Sequence, residues 1–215
     1  LDGRTDIHWS QSFALRLQEK ATQLARYASD VQAIAATASG DTQTALDALQ
    51  DQLFKAAALP VTEPEIFRQD LTHPDHLVAA ANQLTEGHPD RLVSVQPVID
   101  QLRTLGAQAE TDALATDLLT LAAKMDTLKL GTARIHLRLN AEQIRTVISR
   151  DIGLETENRD LGRIALNKLS QLARPKAPLD VNFADLFLEQ STACRHFMMC
   201  AQLLTHIDSD STIRF

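Results

Sequence analysis

One stretch of this 215-residue sequence departs from the pattern of the rest: residues 131–140 read Gly-Thr-Ala-Arg-Ile-His-Leu-Arg-Leu-Asn. Apolar and polar residues alternate along it, and a period of two is typical of a half-buried β-strand. We therefore predict a strand over about residues 132–139. Arg134, His136 and Arg138 share its polar face. The apolar face consists of Ala133, Ile135, Leu137 and Leu139.

The sequence on both sides of this stretch predicts helices. Leu and Ala supply 32 and 30 residues, whereas Val and Ile together supply 19, and this composition favours helix over sheet. The predicted fold class is mainly α, a multi-helix bundle with one isolated strand. The predicted helices cover about residues 7–38, 41–59, 63–71, a segment starting at His73-Pro74-Asp75, a segment from His88-Pro89-Asp90 to Leu105 with a break near Pro97, and residues 109–130, 141–150, 158–173 and 182–207.

A strand needs neighbours for its backbone N–H and C=O groups, and the predicted strand has no convincing partner in the sequence. Residues 213–215, Ile-Arg-Phe, look like an apolar run that is cut off as it starts. One strand and one truncated strand suggest a sheet or barrel with missing strands, so we expect an excised part of a larger protein. The open strand edge also predicts pairing between copies, a possible homo-oligomer that sedimentation would detect.

Charge and apolar content exclude several classes of protein. The formal net charge is −7 and no three consecutive residues are Lys or Arg, so nucleic acid is not an expected partner. No apolar run approaches the roughly 20 residues of a membrane span, and residues 1–6 lack the profile of a signal peptide. Both cysteines lie in one predicted helix, which is no disulfide framework. We expect a cytoplasmic protein and treat residues 1–215 as a single helical segment.

The polar face of the predicted strand is the first candidate site. The guanidinium groups of Arg134 and Arg138, beside the imidazole of His136, are suited to bind phosphate or carboxylate, because arginine offers a planar fork of donors. The alternative is an ordinary exposed face on a half-buried strand. The spacing alone favours that alternative.

Other patterns also have a functional and a structural interpretation. His-Pro-Asp occurs twice, first at residues 73–75, and is similar to the loop of J-domain co-chaperones. Pro and Asp also suit the first turn of a helix, and we favour that interpretation. His73 and His76 have the spacing of two metal ligands, but the sequence indicates no further ligands. His196 and Cys200 lie among Phe and Met residues, as is typical of a packed core helix.

Three stretches of the sequence resemble the phosphoenolpyruvate carboxylase family, in its divergent bacterial form. Residues 1–9, Leu-Asp-Gly-Arg-Thr-Asp-Ile-His-Trp, look like the tail of the family's loop Gly-Gly-Asp-Arg-Asp-Gly-Asn-Pro. Residues 131–140 look like the family's barrel strand, which ends Arg-x-Asp-Ile-Arg-Gln-Glu. Residues 211–215, Ser-Thr-Ile-Arg-Phe, look like the start of the next strand. The resemblance implies an excised part of a helix-rich α/β barrel.

The resemblance also implies an activity. Enzymes of the family add bicarbonate to phosphoenolpyruvate with Mg²⁺ or Mn²⁺ and form oxaloacetate and phosphate, an anaplerotic reaction. The expected partners are therefore these substrates and the remainder of the parent chain. The family's metal carboxylates, catalytic histidine and His-Gly-Arg-Gly-Gly loop have no counterpart in the sequence. We accordingly expect the chain alone to bind no metal and to be inactive.

Five residues are substrate-binding candidates. Arg138 matches the arginine of the family's Ile-Arg-Gln motif, which contacts the substrate phosphate, and Arg134 lies on the same strand face. Asp2 and Gly3 match the Asp-Gly of the family's loop. Arg4 stands where the family usually has Asn.

Two departures from the family pattern keep other functions open. His136 stands where the family usually has Asp, and Leu139 stands where it usually has Gln. One alternative is a non-catalytic carboxylase-like protein, and another is a stand-alone helical protein-interaction module. A third is a co-chaperone-like module that uses His-Pro-Asp.

Overall fold

The structure is a computed structural model, and it describes residues 8–153, 162–172 and 181–214. The described part is mainly helical, as the composition predicts. Among the described residues, no helix combines the length and the apolarity that crossing a membrane requires. The elements are α1 (Trp9–Ala35), α2 (Gly40–Arg68), α3 (Pro74–Thr85), α4 (Gln96–Ala107), α5 (Asp112–Leu128), β1 (Ile135–His136), α6 (Ala141–Ile152), α7 (Arg163–Leu172), α8 (Phe183–Leu188), α9 (Thr192–His206) and β2 (Ile213–Arg214).

The first hydrophobic core lies between the helices α1, α2, α4 and α5. A short connection, residues 36–39, joins α1 to α2, and these two helices pack along most of their lengths. Apolar residues recur at helical spacing in all four helices, so each helix turns one stripe inward. The largest buried side chains of this core are Leu24, Tyr27, Leu46, Leu49, Leu53, Ile99, Leu102, Leu118 and Met125.

The second hydrophobic core involves the first two turns of α1, the end of α2, and the elements α3, β1, α8 and α9. Aromatic rings dominate it. The ring centroid of Phe13 lies 5.6 Å from that of Trp9 and 5.4 Å from that of Phe67, and Phe183 lies 5.5 Å from Trp9. Offset and edge-to-face contacts of this kind add to the free energy of simple burial. These rings form an aromatic platform in the same core as Ile135, Leu137 and Ile213.

The prediction of an isolated strand is wrong. β1 covers only residues 135–136, and it pairs in parallel with β2, with Ile135 opposite Ile213. The amide of Ile135 donates to the carbonyl of Thr212 at 3.1 Å, and the amide of Leu137 donates to the carbonyl of Arg214 at 2.9 Å. The partner is the run that the sequence analysis took for a truncated strand. Parallel partners must be joined by a long crossover, here α6 to α9, and a local pattern does not reveal such a pairing.

Two of the predicted helix starts, near residues 141 and 182, are confirmed, and in the structure each start has a side-chain cap. The side chain of Asn140 accepts a hydrogen bond from the amide of Glu142 at 2.8 Å. The side chain of Asn182 accepts one from the amide of Ala184 at 2.9 Å. Such caps satisfy amides that have no partner within the helix. Asn140 therefore ends the strand segment and starts α6 in a single residue.

The predicted break between residues 59 and 63 is wrong, because α2 continues through Pro60 and Pro64. Proline inside a helix removes a backbone hydrogen bond and costs about 3 kcal/mol. Both prolines are buried, in the half of α2 that leads to Phe67 in the second core. We infer that packing against α1 outweighs the local cost.

Two further helix boundaries differ from the prediction. No helix starts at His88; instead, the Arg91 guanidinium donates to the carbonyls of Gln83, Leu84 and Glu86 and folds the chain back on the end of α3. The last predicted helix is split into α8 and α9. Ser191 provides an additional cap there, accepting from the amide of Cys194 at 3.4 Å. Both differences arise from side-chain to backbone bonds that compete with helix continuation.

Candidate anion-binding face

Four basic side chains lie on the outer side of the two-stranded sheet: Arg134, His136 and Arg138 on or beside β1, and Arg214 on β2. We call this set the basic face. All four are exposed, whereas Leu137 is buried. The burial thus follows the alternation that the sequence predicts.

The register of the sheet brings the four groups together. His136 lies directly opposite Arg214, and paired strands are about 4.8 Å apart. Successive residues on the same side of a strand are about 6.6 Å apart, which sets the spacing of Arg134, His136 and Arg138. The backbone positions of the basic face therefore fall within a strip about 5 Å wide and 13 Å long.

The charge of the basic face contrasts with the rest of the chain. The chain carries a net charge of −7, yet the basic face consists of three arginines and one histidine. Among the residues that the structure describes, neither Arg134 nor Arg214 forms an ion pair. Exposed guanidinium groups without carboxylate partners are available to a ligand anion.

A cleft of about 230 Å³ adjoins the basic face. One wall is α1, which contributes Ser12, Arg16 and Glu19, and the opposite wall is the segment 133–136. The volume lies below the usual range of about 300 to 1,000 Å³ for drug-sized ligands. A group of the size of phosphate or a small carboxylate matches it better than a nucleotide does.

The structure places only part of the predicted substrate-binding set. Arg134 and Arg138 are both on the basic face. Asp2, Gly3 and Arg4 lie outside the described residues, so their assignment as substrate-binding residues stays a prediction.

Arg214 is the member of the face that the sequence analysis missed as a site residue. Its signal was present, because it follows Ile213 in the same apolar–polar order as His136 follows Ile135. The order could be interpreted only once the partner strand was known.

The other histidine and cysteine patterns behave as structural features. α3 begins at Pro74 with Asp75 in its first turn, so His-Pro-Asp at this position starts a helix. Burial raises the pKa of the Cys200 thiol to about 11, which removes it as a nucleophile at neutral pH. The pKa of His196 is lowered by burial and by the charge of Arg195. Both residues fit a packed helix.

The residues of the basic face do not fit a divalent metal ion. Mg²⁺ and Mn²⁺ prefer carboxylate and carbonyl oxygen ligands, whereas the face presents cations. In the described parts of the chain, no group of three or more His, Cys, Asp or Glu side chains is placed to hold a metal. The expectation that this chain alone binds no metal stays a prediction, and no chemical step is derived through one.

No protein-family model matches the sequence, and comparisons with curated proteins and with solved structures give no match either. Function must therefore be argued from the basic face, from the parallel strand pair and from the resemblance described above.

Proposed function

We propose that the chain is a segment of a phosphoenolpyruvate carboxylase-like enzyme, which adds bicarbonate to phosphoenolpyruvate and yields oxaloacetate and phosphate. The basic face is the observation that carries the proposal. Phosphoenolpyruvate is an anion with a phosphoryl group and a carboxylate, and arginine side chains bind both groups through paired donors. Arg138 coincides with the family's phosphate-binding arginine.

The strand topology supports the proposed origin in an α/β barrel. β1 leads through helices α6 to α9 to the parallel strand β2. A strand, a helical crossover and a parallel neighbour form the repeating unit of such barrels. Active sites of α/β barrels lie at the carboxyl ends of the strands, and Arg138 follows the carboxyl end of β1. Arg134 precedes β1 and would lie further from that end.

The residues of this chain would bind and orient the substrate, while other parts of the parent enzyme supply the remaining groups. The Arg138 guanidinium would hold the phosphoryl group, and Arg214 would add positive charge from the neighbouring strand. Fixed cations of this kind favour charge that develops on the phosphoryl oxygens. Metal-dependent stabilisation of the enolate would depend on residues beyond the basic face, so we expect the isolated chain to form no oxaloacetate.

Binding to the 215-residue chain is the first test of the proposal. Phosphoenolpyruvate and, separately, inorganic phosphate are titrated while backbone amide resonances of residues 134–138 and 213–214 are followed. Arg138→Gln should weaken binding by about tenfold or more, because a hydrogen bond to a charged group is lost. Arg103→Gln is the matched control, since Arg103 is an exposed arginine of α4 outside the basic face. Equal effects of both substitutions, or no shift at residues 134–138, would contradict the assignment.

Activity of the intact natural protein is the second test. It should form oxaloacetate from bicarbonate and phosphoenolpyruvate with Mg²⁺, and Arg138→Gln should lower kcat/KM. An inactive protein that gains activity with His136→Asp or Leu139→Gln would identify the non-catalytic carboxylase-like alternative. An inactive protein that neither substitution restores would reject the carboxylase proposal.

A helical interaction module is the second candidate function, and one observation favours it. α7 exposes large apolar side chains, with Ile164 at 87% and Leu166 at 50% of their full accessibility. Large apolar side chains that remain exposed on a helix are found at surfaces that contact another protein. Ile164→Ser with Leu166→Ser should then abolish self-association or partner binding while leaving phosphate binding at the basic face unchanged.

A further inference from the structure

Three charged side chains are buried between α1 and the segments that lead into the two strands. Arg16 is 4% exposed, Lys20 is 2% exposed and Asp208 is fully buried. A buried charge is costly unless it is paired and hydrogen-bonded. The ion pairs and hydrogen bonds of these three side chains therefore fix their positions. They also fix the backbone groups to which the side chains are bonded.

The segment leading into β1 is held by one turn of α1. Arg16 donates through Nη1 to the carbonyl of Ala133 at 3.1 Å. Glu19 accepts from the amide of Ala133 at 2.6 Å and from the hydroxyl of Thr132 at 3.1 Å. Arg16 and Glu19 also pair with each other at 2.7 Å. Both backbone polar groups of Ala133 are thus bound by a single ion pair.

The segment leading into β2 is held by the same turn. The Arg16 Nη2 atom donates to the Asp208 carboxylate, and Lys20 donates to the carbonyl of Ile207 at 2.7 Å. The Asp208 carboxylate also accepts from the amide of Asp210 at 3.0 Å. Arg16 therefore bridges the amino-terminal sides of both strands.

This double attachment bears directly on strand register. β1 and β2 have two residues each, so their own ladder is too short to select one register strongly. A slip of one residue would exchange the two faces of a strand. A slip of β1 would turn His136 inward and Ile135 outward, and a slip of β2 would do the same to Arg214 and Ile213.

We propose that Arg16, Glu19 and Asp208 are positioning residues that set the register of β1 against β2 and thereby orient the basic face. We call these three residues the alignment clamp. The statement about register stands on the contacts alone, whereas its consequence for substrate binding rests on the proposed function. Arg16 and Glu19 also line the cleft beside the basic face, but the role proposed for the alignment clamp acts through the backbone of residues 132–133 and 207–210.

Gly131 offers a second, independent way to perturb the alignment clamp experimentally. A Cβ atom at this position would lie 2.7 Å from Cζ of Arg16 and 2.8 Å from the carboxylate carbon of Glu19. Real Cβ contacts are longer, so an added methyl group must displace the guanidinium and the carboxylate. At Gly87 and Gly162 a Cβ would meet no atom within 4 Å. Gly131→Ala thus perturbs the alignment clamp without removing any of its charges.

Amide hydrogen exchange of the 215-residue chain, followed by NMR, tests the proposal. The reporters are the amides of Ile135 and Leu137, which form the ladder to β2, and reference amides come from α2 and α5 in the first core. Arg16→Met should lower protection of the two reporters by about 10- to 100-fold, since bonds to a charged group are lost. Glu19→Gln should act in the same direction, with a smaller effect. Reference amides should change much less.

Matched controls separate a positioning role from general stabilisation. Glu65→Gln removes an exposed partner of Arg68 at the same spacing of three residues, and it should leave the reporters unchanged. Gly131→Ala should reproduce the Arg16→Met pattern, whereas Gly87→Ala should not. If Gly131→Ala and Glu19→Gln both leave the reporters protected, or lower all amides by one common factor, the proposal is overturned. This holds even where Arg16→Met fails to fold.

Phosphate titration of the same variants keeps the two proposals distinguishable. Loss of reporter protection with a parallel loss of phosphate affinity supports both the alignment clamp and the basic face. Loss of reporter protection in a chain whose unmodified form binds no phosphate or phosphoenolpyruvate supports the alignment clamp and rejects the binding role. Phosphate binding that stays intact after reporter protection is lost rejects the claim that the alignment clamp orients the basic face.

Discussion

The two hydrophobic cores share the helix α1 but differ in how they are held together. The first core unites apolar stripes of helices that are close in sequence, such as α1 with α2 and α4 with α5. The second core joins aromatic rings to strands that four helices separate along the chain. The basic face lies on the second core. The first core thus supports the fold, whereas the candidate site forms at the second core, where segments distant in sequence meet.

The charges are also distributed unevenly along the chain. Residues 1–131 contain 18 acidic and ten basic residues, whereas residues 132–215 contain ten acidic and eleven basic residues. The net negative charge of the chain therefore comes from residues 1–131. Screening limits its field to about 8–10 Å at physiological ionic strength, so the basic face keeps its local positive character. The net charge alone would not have indicated the basic face.

The largest expected effect concerns the aromatic platform of the second core. Phe13 is fully buried and contacts three aromatic rings, so Phe13→Ala should lower the free energy of unfolding by about 3–5 kcal/mol. Trp9 is the single tryptophan and lies in this core, so its fluorescence reports the second core alone. In urea, the fluorescence transition of Phe13→Ala should precede the loss of far-UV circular dichroism.

A first-core substitution provides the comparison. Leu118→Ala, at a fully buried position of α5, should cost about 2–5 kcal/mol. The fluorescence transition in this variant should not run ahead of the dichroism. Coincident transitions in both variants would show that the two cores unfold as one cooperative unit, contrary to the distinction made here.

The next effect concerns the buried Lys20 between the two cores. Burial lowers its pKa from 10.5 to about 8, opposed by the attraction of Glu63 and Asp208 and assisted by the repulsion of Arg91 and Arg16. Between pH 8 and 10 the unfolded chain holds this proton while the folded chain releases it. Stability should therefore rise with pH in this window, by about 1–3 kcal/mol.

Lys20→Met isolates this contribution. The free energy of unfolding is measured in urea at pH 7, 8, 9 and 10 for both proteins. The free energy of unfolding of the unsubstituted protein should rise between pH 8 and 10 relative to that of Lys20→Met, because all other titrating groups are common to both proteins. A pH-independent difference would mean that Lys20 keeps an ordinary pKa in the folded state.

A smaller effect is expected from the helix caps of the two regions. Thr111 accepts from the amide of Leu114 at 3.2 Å at the start of α5, and Asn140 caps α6. Alanine at either position should cost about 1 kcal/mol. Thr111→Ala should lower the global free energy of unfolding, since α5 is built into the first core. Asn140→Ala should mainly accelerate amide exchange within α6, where most side chains are only half-buried. An equal decrease in the global free energy of unfolding in both variants would contradict this difference.

The smallest expected effect belongs to an exposed ion pair of the first region. Arg103 and Asp126 pair at 3.2 Å with 47% and 45% of their side chains exposed. Exposed pairs contribute about 0–1 kcal/mol, so Arg103→Gln should change the urea midpoint little. Arg16→Met, which breaks a buried pair, should change it far more. A comparable shift of the urea midpoint in both variants would argue that the buried ion pair of Arg16 stabilises the fold no more than an exposed pair does.

The prediction of helices succeeded where local signals agree with packing. Apolar spacing locates the helix starts near residues 141 and 182 correctly, and there the side chains of Asn140 and Asn182 cap the helices in the structure. Local signals failed at Pro60, where contacts with α1 keep α2 continuous, and at His88, where the side chain of Arg91 binds the preceding turn. In each failure a contact from elsewhere in the fold outweighs a local preference.

The candidate site was predictable only in part, for a similar reason. Arg134 and Arg138 share a strand, and a period of two places them on one face whatever the fold. Arg214 belongs to another strand, and its proximity to His136 depends on parallel pairing across α6 to α9. Arg16 and Glu19 look like ordinary surface residues of an amphipathic helix in the sequence. Their bonds to Ala133 and Asp208 exist only in the folded chain.

Short-range patterns in the amino-acid sequence therefore determine the helical class, the presence of a strand within residues 132–139 and the polarity of its two faces, because these depend on neighbours one to four residues apart. Tertiary structure decides the strand partner, the fourth basic residue and the buried ion pairs on α1. These features depend on contacts between residues about 80 to 190 positions apart. Such contacts form only when burial of both cores compensates for the entropy of ordering the chain between them.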